Sequence, residues 1–430
     1  MYRYGKKKIV ILGTGFGGLR AARRIGRSIK NLRLMDKYEV ILIDRHNYHT
    51  YTPTLYEAAT TSKNTANYCD LKRIITFPIA EVIRNEPINF IHNSVEALDL
   101  RNGDVHLKGA TLPFDYLVLA LGSETNYFEI PGLQENALPL KTFIEALALR
   151  DKVLDAFTAN RETLKIVVGG GGATGVELSG ELQHWLCELS EESNSRCKAE
   201  VTLISGGANI LQNFDSKLVN AASARLNALN VHLINGERIK EAKPGLVILD
   251  SGREVPYDIL IWTGGVKASQ LMAALPLKQG APGRVEVIGG MECLPQTPDL
   301  ELYGKIYGLG DAICFFDPKT QKPVPLVARA AILQADVVAK NIIADIQFVE
   351  GLSKVQKRLR YEPQAYPYVT PVGGKFAIAK IGRFIFSGFP AWIFKGIIEL
   401  NYLLSILSPF HALRIWLKGL RIFIKNDRLG

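Results

Sequence analysis

Short apolar runs that end in glycine recur along the chain and predict buried strands of a parallel sheet. Residues 9–12 form one such run, and a motif with the spacing G-x-G-x-x-G follows it directly. The first glycine permits a tight turn, the second lets a phosphate approach the backbone, and the third lets a helix pack on the strand. The motif comprises Gly13, Gly15, Phe16, Gly17 and Gly18. Residues 39–44 predict the next strand, and Asp44 at its end can accept hydrogen bonds from ribose hydroxyls, which completes a dinucleotide-binding unit.

The same pattern begins again in the middle of the chain. Residues 165–169 predict a second buried strand, which runs into Gly170, Gly172 and Gly175 and then into a helix over residues 176–189. The following strand, residues 200–205, ends in Ser205. A NAD site usually carries an acid at this position, and a NADP site commonly offers a nearby arginine. Two such motifs predict two nucleotide-binding domains, with the choice between NAD(H) and NADP(H) left open.

Three other segments carry glycine or acid at the predicted ligand-binding edge of a sheet. A buried strand over residues 115–122 ends in Gly122, and another over residues 258–265 ends in a pair that includes Gly264. Residues 305–312 return the chain to the first domain with a strand, Asp311 and Ala312, before a helix predicted over residues 327–346. This position predicts that the Asp311 carboxylate faces a bound cofactor, and the alternative is that Asp311 is a helix N-cap.

The connecting segments have their own patterns. Residues 45–56 are aromatic and polar, and we expect this loop to face a ligand rather than to join the core. Residues 88–100 and 105–107 predict strands of a small antiparallel insert. The fold class is therefore α/β, with two Rossmann-like dinucleotide-binding domains and a C-terminal amphipathic region. We expect the first domain over residues 1–150 and 300–350, the second over residues 151–299, and the C-terminal region over residues 351–430.

Composition adds a charge asymmetry to this outline. The chain has 430 residues and a net charge of +10, and residues 371–430 contain nine basic and two acidic residues, or +7. Its five cysteines are irregularly spaced, so we expect no disulfide framework and a reducing compartment. The first strand begins near residue 8, so we expect no signal or transit peptide and a protein that acts on the cytoplasmic side, where it is made.

The C-terminal region explains where the basic charge lies. Residues 384–407 are apolar and aromatic, but Lys395, Glu399 and Pro409 interrupt every window long enough to span a bilayer. Ser408 and Pro409 predict the start of a helix, whose basic stripe consists of Arg414, Lys418, Arg421 and Lys425. We expect Trp416 and Phe423, opposite the stripe, to enter a membrane surface over residues 384–425, and the alternative is a helix packed on its own domain or in a dimer. Nucleic acid is not an expected partner, because no nucleic-acid-binding motif accompanies the charge.

The order of the motifs resembles type II NADH:quinone oxidoreductases, which are single-subunit peripheral membrane flavoproteins. The resemblance spans residues 8 to about 345. It rests on these segments: residues 13–18, Ile43-Asp44-Arg45-x-Asn47-Tyr48-His49, Thr52-Pro53-x-Leu55-Tyr56, residues 119–126, Gly175-Val-Glu177-Leu-Ser-Gly-Glu-Leu182 and Gly308-Leu-Gly-Asp311-Ala312.

The resemblance implies FAD on the first motif, NADH or NADPH on the second, and transfer of two electrons to a quinone without ion pumping. The expected FAD contacts are Gly13, Gly15, Phe16, Gly17, Gly18, Asp44, Arg45, Pro53, Gly122, Asp311 and Ala312. The expected contacts of the nicotinamide nucleotide are Gly170, Gly172, Gly175, Glu177, Ser205 and Gly264. Glu177, Gln334 and Lys375 are the expected catalytic residues, with Lys375 near the flavin. The resemblance also implies a homodimer, and neither a metal site nor a catalytic nucleophile is visible.

Two departures from the family pattern keep alternatives open. Ser205 replaces the usual acid, and Arg329 and Leu333 replace glutamines of the expected Ala-Gln-x-Ala-x-Gln-Gln stretch, of which Gln334 remains. One alternative is a sulfide:quinone-type oxidoreductase, which would need reactive cysteines near the flavin, with Cys293 and Cys314 the late pair. The other is a non-catalytic, membrane-docked nucleotide sensor.

Overall fold

The computed structural model describes residues 5–159, 163–192, 194, 196–280, 282–300 and 302–426, and the chain forms two compact units. The first unit comprises Met1–His49, Phe77–Glu124 and Val266–Gln364, and the second comprises Thr50–Thr76, Thr125–Gly265 and Ala365–Gly430. Residues 125–150 thus fall in the second unit, because Ala137–Pro139 pairs with Ile259–Trp262. Residues 266–299 fall in the first unit, where Arg284–Glu286 pairs with Ile313–Cys314.

The first unit is built on a five-stranded parallel sheet. Its strands, in spatial order, are Ile306–Gly308, Tyr116–Leu119, Lys7–Leu12, Tyr38–Asp44 and Ile88–His92. Residues 9–12 are fully buried, as the apolar run predicts. The helices Phe16–Asn31 and Ala328–Val349 pack against each other, and Ile79–Val82 and Gln270–Ala273 are short helices.

The predicted antiparallel insert is partly wrong. Ile88–His92 pairs in parallel with Tyr38–Asp44 and extends the main sheet, because its backbone completes the exposed edge of that strand. The insert begins only at the next strand, and it consists of Val95–Asp99, Asp104–Leu107 and Ala110–Pro113. A second small sheet contains Gln279–Gly280, Arg284–Glu286 and Ile313–Cys314.

The second unit repeats the parallel architecture. Its five strands are Ala137–Pro139, Ile259–Trp262, Leu164–Gly169, Ala199–Ser205 and His232–Asn235. The helices of this part are Leu55–Ala59, Tyr68–Ile75, Leu133–Asn136, Phe143–Ala159, Ala173–Glu192 and Ser216–Ala228. A three-stranded antiparallel sheet follows, with Ile239–Lys243, Leu246–Leu249 and Glu254–Pro256. Four short strands lie at the chain boundaries between the units: Tyr48–Thr50, Thr76–Pro78, Glu124–Thr125 and Val266–Lys267.

The C-terminal part of the second unit is a three-stranded sheet followed by two helices. The strands are Tyr368–Pro371, Ala377–Ile381 and Phe384–Gly388, and the helices are Phe389–Ile406 and Pro409–Asn426. Pro409 is the first residue of the last helix, which confirms the predicted start. In the described part of the chain, no helix combines the length and the apolar character that crossing a bilayer requires.

The last helix packs on its own unit through the face that we expected to enter the membrane surface. Phe423 is buried, and the indole Nε1 of Trp416 donates to the Gly396 carbonyl at 2.8 Å. The expectation that these two rings meet lipid is therefore wrong, since both pack on their own unit. Phe410, Leu413, Leu417 and Ile424 are exposed instead. The basic stripe is confirmed on the accessible side of the helix, where Lys418 pairs with Asp70 at 2.7 Å.

One cysteine pair departs from the expectation that the chain has no disulfides. Cys187, near the end of helix Ala173–Glu192, forms a disulfide with Cys197, and their Cα atoms are 4.4 Å apart. The two cysteines are ten positions apart in the sequence, and Cys197 precedes the strand Ala199–Ser205. Cys69, Cys293 and Cys314 are free, and the last two are buried.

The packing of the last helix gives a stability prediction. Phe423→Ala should lower the free energy of unfolding by about 3 kcal/mol, because a 5% exposed ring leaves a cavity. Phe410→Ala should change it by less than about 0.5 kcal/mol, because that ring is 80% exposed. Chemical denaturation of both variants measures the difference, and equal effects would contradict this orientation of the helix.

Candidate functional site

The first glycine loop, residues 13–18, brings a strand and a helix together without side chains between them. Gly13 has φ +105°, and a methyl group on it would lie 2.3 Å from the Ala120 carbonyl oxygen. A methyl group on Gly18 would lie 2.0 Å from the Gly13 carbonyl oxygen, whereas one on Gly15 would meet nothing within 4 Å. The loop therefore has one open side, next to the first amides of helix Phe16–Asn31. This geometry fits a dinucleotide pyrophosphate.

Asp44 is fixed at the end of the neighbouring strand by the same loop. Its Oδ2 accepts hydrogen bonds from the Thr14 amide at 2.7 Å and the Thr14 hydroxyl at 2.8 Å, and its Oδ1 accepts one from the His46 amide at 2.8 Å. A carboxylate can accept about four hydrogen bonds, so Asp44 keeps acceptor capacity for a ribose hydroxyl. Arg45 is exposed, and its carbonyl oxygen accepts a hydrogen bond from His92 Nε2 at 2.9 Å.

His49 contacts Thr14 and Phe16 of the first glycine loop and was not among the predicted site residues. It is buried, with Nδ1 2.8 Å from the Thr14 carbonyl oxygen and its ring edge-on to Phe16 at 5.0 Å. Burial lowers the pKa of His49 to about 4, against the opposing effects of the Thr14 hydrogen bond and the Asp44 charge. The ring is thus neutral at pH 7 and donates from Nδ1. The sequence signals for this role were its position in the polar stretch after Asp44 and its place in the segment shared with the family.

The expectation that residues 45–56 stay out of the core is wrong for five of these twelve residues. His49, Tyr51, Thr54, Leu55 and Tyr56 are buried, and the polar side chains of His49 and Thr54 have hydrogen-bond partners inside the protein. Thr52 and Pro53, in the single helical turn Thr52–Thr54, are exposed, as are Arg45 and Asn47. An FAD contact of Pro53 stays a prediction.

The Gly-Asp turn of the first unit is held by two side chains. The Ser123 hydroxyl donates to Asp311 Oδ2 at 2.8 Å, and the Gly310 amide donates to Gln334 Oε1 at 2.8 Å. Gln334 is buried on helix Ala328–Val349, so its amide oxygen positions the turn. Two predicted FAD contacts adjoin these residues: Ala312 is buried in the turn, and Gly122, with φ +72°, has open space where a side chain would be. Gly17 has the side chain of Leu309 against it.

The second glycine loop, residues 170–175, reproduces this geometry in the second unit. Gly170 has φ +118°, and a methyl group on it would lie 2.6 Å from Gly264 Cα. One on Gly175 would lie 1.8 Å from the Gly170 carbonyl oxygen, and one on Gly172 would meet nothing within 4 Å. Helix Ala173–Glu192 begins at this open side. The residues present fit a second dinucleotide.

Ser205 takes the place that Asp44 has in the first unit. It is buried, its hydroxyl donates to the Asn209 carbonyl oxygen at 3.2 Å, and a methyl group on Gly171 would lie 2.3 Å from its Oγ. The side chain therefore faces the second glycine loop, but it brings no carboxylate to a ribose.

A group of ionisable residues lies within the second unit, around a lysine of the C-terminal region. We name it the lysine cluster, and it consists of Glu57, Glu177, Lys395 and Glu399. Lys395 Nζ forms an ion pair with Glu57 Oε1 and lies 5.3 Å from the centre of the Tyr56 ring. Lys395, Glu57 and Glu399 are largely buried, with side chains or residues at most 15% exposed.

Glu177 is the member of the lysine cluster with the most informative ionisation. Desolvation raises the pKa of its carboxyl to about 8, the Lys395 charge opposes this rise, and the Glu57 charge adds to it. Burial also raises the pKa of Glu399, against the charge of Lys395. One ammonium group thus interacts with several carboxyls, and Glu177 is mostly protonated at pH 7.

The lysine that interacts with Glu177 is Lys395, for which the sequence predicted only the interruption of an apolar segment. A single lysine in such a segment was the available signal. Lys375 lies in a turn whose neighbours pack on the middle of helix Ala173–Glu192, where the Gly374 amide donates to Glu181 Oε2 at 3.1 Å. A position of Lys375 near the flavin stays a prediction.

Comparison with known proteins agrees with the two nucleotide-binding motifs. Residues 7–335 match the model of the family described as pyridine nucleotide-disulphide oxidoreductase. The chain is 29% identical over 348 residues to the type II NADH:quinone oxidoreductase of Staphylococcus saprophyticus, covering 78% of this chain and 82% of the relative. The enzyme of the same name from Staphylococcus aureus is 29% identical over 354 residues, with the same coverage.

Solved structures share the fold at lower sequence identity. NDH2 from Plasmodium falciparum in complex with NADH has a TM-score of 0.81 and 18% identity, covering 96% of this chain and 98% of that one. The sulfide:quinone oxidoreductase from Aquifex aeolicus has a TM-score of 0.74 and 20% identity, covering 97% and 96%. At these identities the likeness concerns the fold.

The open side of the second glycine loop can be tested by one methyl group. Gly172→Ala should leave the melting temperature unchanged, because nothing lies within 4 Å of the added carbon. It should weaken dinucleotide binding by roughly tenfold, the equivalent of one lost charge-assisted hydrogen bond to the pyrophosphate. Calorimetric titration with NADH measures the affinity. Unchanged affinity would remove the pyrophosphate from this loop, and Gly175→Ala, which should destabilise the fold, is the contrasting variant.

Proposed function

The chain belongs to the pyridine nucleotide-disulphide oxidoreductase family, and we propose that it is a type II NADH:quinone oxidoreductase, a flavoprotein enzyme that oxidises NADH and reduces a quinone. The two similar glycine loops, each open to a pyrophosphate, carry this proposal together with the named relatives. The first loop and Asp44 would hold the adenosine diphosphate part of FAD, and the second loop would hold that of NADH. FAD, when bound, supplies the chemistry that accepts a hydride from NADH and delivers two electrons to the quinone.

The proposed reaction requires the protein to supply a proton. NADH, one proton and a quinone give NAD⁺ and a quinol, so each turnover consumes one proton. Glu177 holds a proton at neutral pH, because its carboxyl has a pKa of about 8. The Lys395 charge lowers the pKa of this carboxyl, so it stabilises the carboxylate after the proton has left. We assign Glu177 as the proton donor, while catalytic roles for Gln334 and Lys375 rest on the family resemblance alone.

A mutation at Glu177 tests this assignment through pH dependence. In the native enzyme, quinone reduction should be constant below about pH 8 and fall above it, because the protonated form is lost as pH rises through the pKa. Glu177→Gln should lower kcat roughly 100-fold and abolish this fall, as expected for a lost general acid. Glu191→Gln, on the exposed end of the same helix, is the control and should keep the native profile. A Glu177→Gln enzyme that retains the fall would contradict the assignment.

The overall activity has a direct test that also separates the alternatives. Under anaerobic conditions NADH should bleach the flavin absorbance, and a soluble quinone should restore it. Bound flavin that neither NADH nor NADPH bleaches would favour a nucleotide sensor. Sulfide-dependent turnover would favour a sulfide:quinone-type enzyme, but burial raises the pKa of the Cys293 and Cys314 thiols, which makes them poor nucleophiles.

The C-terminal helices support a location on a membrane surface. Helix Phe389–Ile406 exposes Phe389, Ile393, Ile397 and Leu404, and helix Pro409–Asn426 exposes Phe410, Leu413, Leu417 and Ile424. Arg414, Arg421 and Lys425 are exposed on the latter helix beside this apolar strip. Apolar side chains next to cations suit acyl chains and anionic headgroups. We assign this strip to the cytoplasmic face of the cell membrane, as a peripheral contact, and a homodimer stays a prediction of the family resemblance.

Vesicle binding tests this surface. Leu413→Asp with Leu417→Asp should weaken binding to vesicles that contain anionic phospholipid by roughly tenfold or more, because two exposed apolar groups of the proposed lipid contact become negative charges that the lipid repels. The control variant, Val349→Asp with Val355→Asp, changes two exposed apolar residues of the first unit and should still sediment with the vesicles. If the leucine variant still sediments but becomes monomeric in analytical ultracentrifugation, the strip is a subunit interface instead.

A further inference from the structure

The two glycine loops differ in the side chain that lies at the expected position of the adenosine ribose. In the first unit a carboxylate, Asp44, is bonded to the residue between the first two glycines, Thr14. In the second unit Ser205 faces the corresponding residue, Gly171, and its hydroxyl donates to the Asn209 carbonyl oxygen at 3.2 Å. An acid at this position binds the ribose 2′-hydroxyl of NADH and repels the 2′-phosphate of NADPH. Ser205 is uncharged and does not repel a phosphate.

An arginine lies beside the backbone that follows Ser205. The turn after strand His232–Asn235 is bonded to the turn after strand Ala199–Ser205, since the Gly236 amide donates to the Gly207 carbonyl oxygen at 2.8 Å. This contact places Arg238 against Gly206, where a methyl group on the glycine would lie 3.0 Å from Arg238 Cγ and 3.6 Å from its Nε. The guanidinium Nε therefore lies beside Gly206, the residue that directly follows Ser205.

Arg238 is exposed, and within the described residues it has no ion-pair or side-chain hydrogen-bond partner. The adjacent acid, Glu237, forms no ion pair with Arg238 in the described part of the chain, and its Oε2 accepts a hydrogen bond from the Ser251 amide at 3.4 Å instead. A planar guanidinium group with free N–H donors suits a phosphate, which it can bind through two parallel hydrogen bonds. The turn therefore combines the loss of a repelling carboxylate with the gain of a phosphate-binding cation.

We propose that Arg238 binds the 2′-phosphate of NADPH, and that the enzyme oxidises NADPH as well as NADH. The inference rests on the proposed function, because it concerns the donor of that same reaction. NADPH, one proton and a quinone give NADP⁺ and a quinol, and the hydride leaves the same nicotinamide carbon with either donor. Arg238 contacts only the far end of the molecule, so it determines donor specificity and takes no part in hydride transfer.

The test compares both donors on the complete, FAD-loaded enzyme. The native enzyme should show kcat/KM values for NADPH and NADH within about tenfold of each other. Arg238→Ala should lower kcat/KM for NADPH by roughly tenfold or more, through KM, and leave the value for NADH within about twofold, because one charge-assisted phosphate contact is lost. Arg196→Ala is the matched control, since it removes an exposed arginine that precedes the opposite end of the strand Ala199–Ser205.

A binding measurement separates recognition from turnover. Adenosine 2′,5′-bisphosphate should bind the native enzyme more tightly than 5′-AMP, and Arg238→Ala should remove this difference. NADPH oxidation at least 100-fold less efficient than NADH oxidation, or an Arg238→Ala effect of equal size on both donors, would overturn the inference while leaving the proposed function intact. If neither donor bleaches the flavin, the proposed function itself fails, and the bisphosphate comparison still decides the role of Arg238.

Discussion

Both nucleotide-binding sites depend on backbone contacts so close that no side chain fits between them. Gly18 lies against the Gly13 carbonyl group in the first unit, and Gly175 lies against the Gly170 carbonyl group in the second. In each loop a methyl group on the last glycine would come within about 2 Å of that oxygen, which no backbone shift of a few tenths of an ångström can relieve. The contact fixes where each helix begins, and the position of the first free amides follows from it.

The lysine cluster is a second constraint, and it connects the C-terminal region with the chemistry. Helix Phe389–Ile406 carries Lys395 into a buried position, where it pairs with Glu57 and contacts the Tyr56 and Phe423 rings. Removing one partner of a buried ion pair lowers the free energy of unfolding by several kcal/mol. This lysine therefore holds the helix in place and also acts on Glu177. The C-terminal region therefore completes the ionisable surroundings of the proposed proton donor, in addition to exposing an apolar strip.

The sequence predicted those parts of the fold that depend on local patterns. Apolar runs followed by glycine predicted the central strands of both parallel sheets. A strand buried on both faces requires apolar residues, and a tight turn favours glycine, so both features can be recognised in the sequence. Residues 88–92 were misassigned because the partner strand of an edge is set by tertiary pairing, which a short apolar run does not encode. Trp416 and Phe423 were placed on lipid because helical periodicity groups residues into faces without indicating which face the protein covers.

The candidate site was predictable where a motif carries it and not where distant segments meet. Asp44 and Glu177 stand at fixed distances from glycine motifs, whereas His49, Lys395 and Arg238 reach their positions through tertiary contacts. The contrast between Asp44 and Ser205 agrees with the roles that we propose for the two sites. In that proposal FAD stays bound through many turnovers, and the Asp44 carboxylate is held by three hydrogen bonds. A nicotinamide nucleotide has to leave after each hydride transfer, and a site with fewer fixed hydrogen-bond acceptors releases the oxidised nucleotide more readily. In our proposal the exposed Arg238 adds selectivity between the two donors without enclosing the nucleotide.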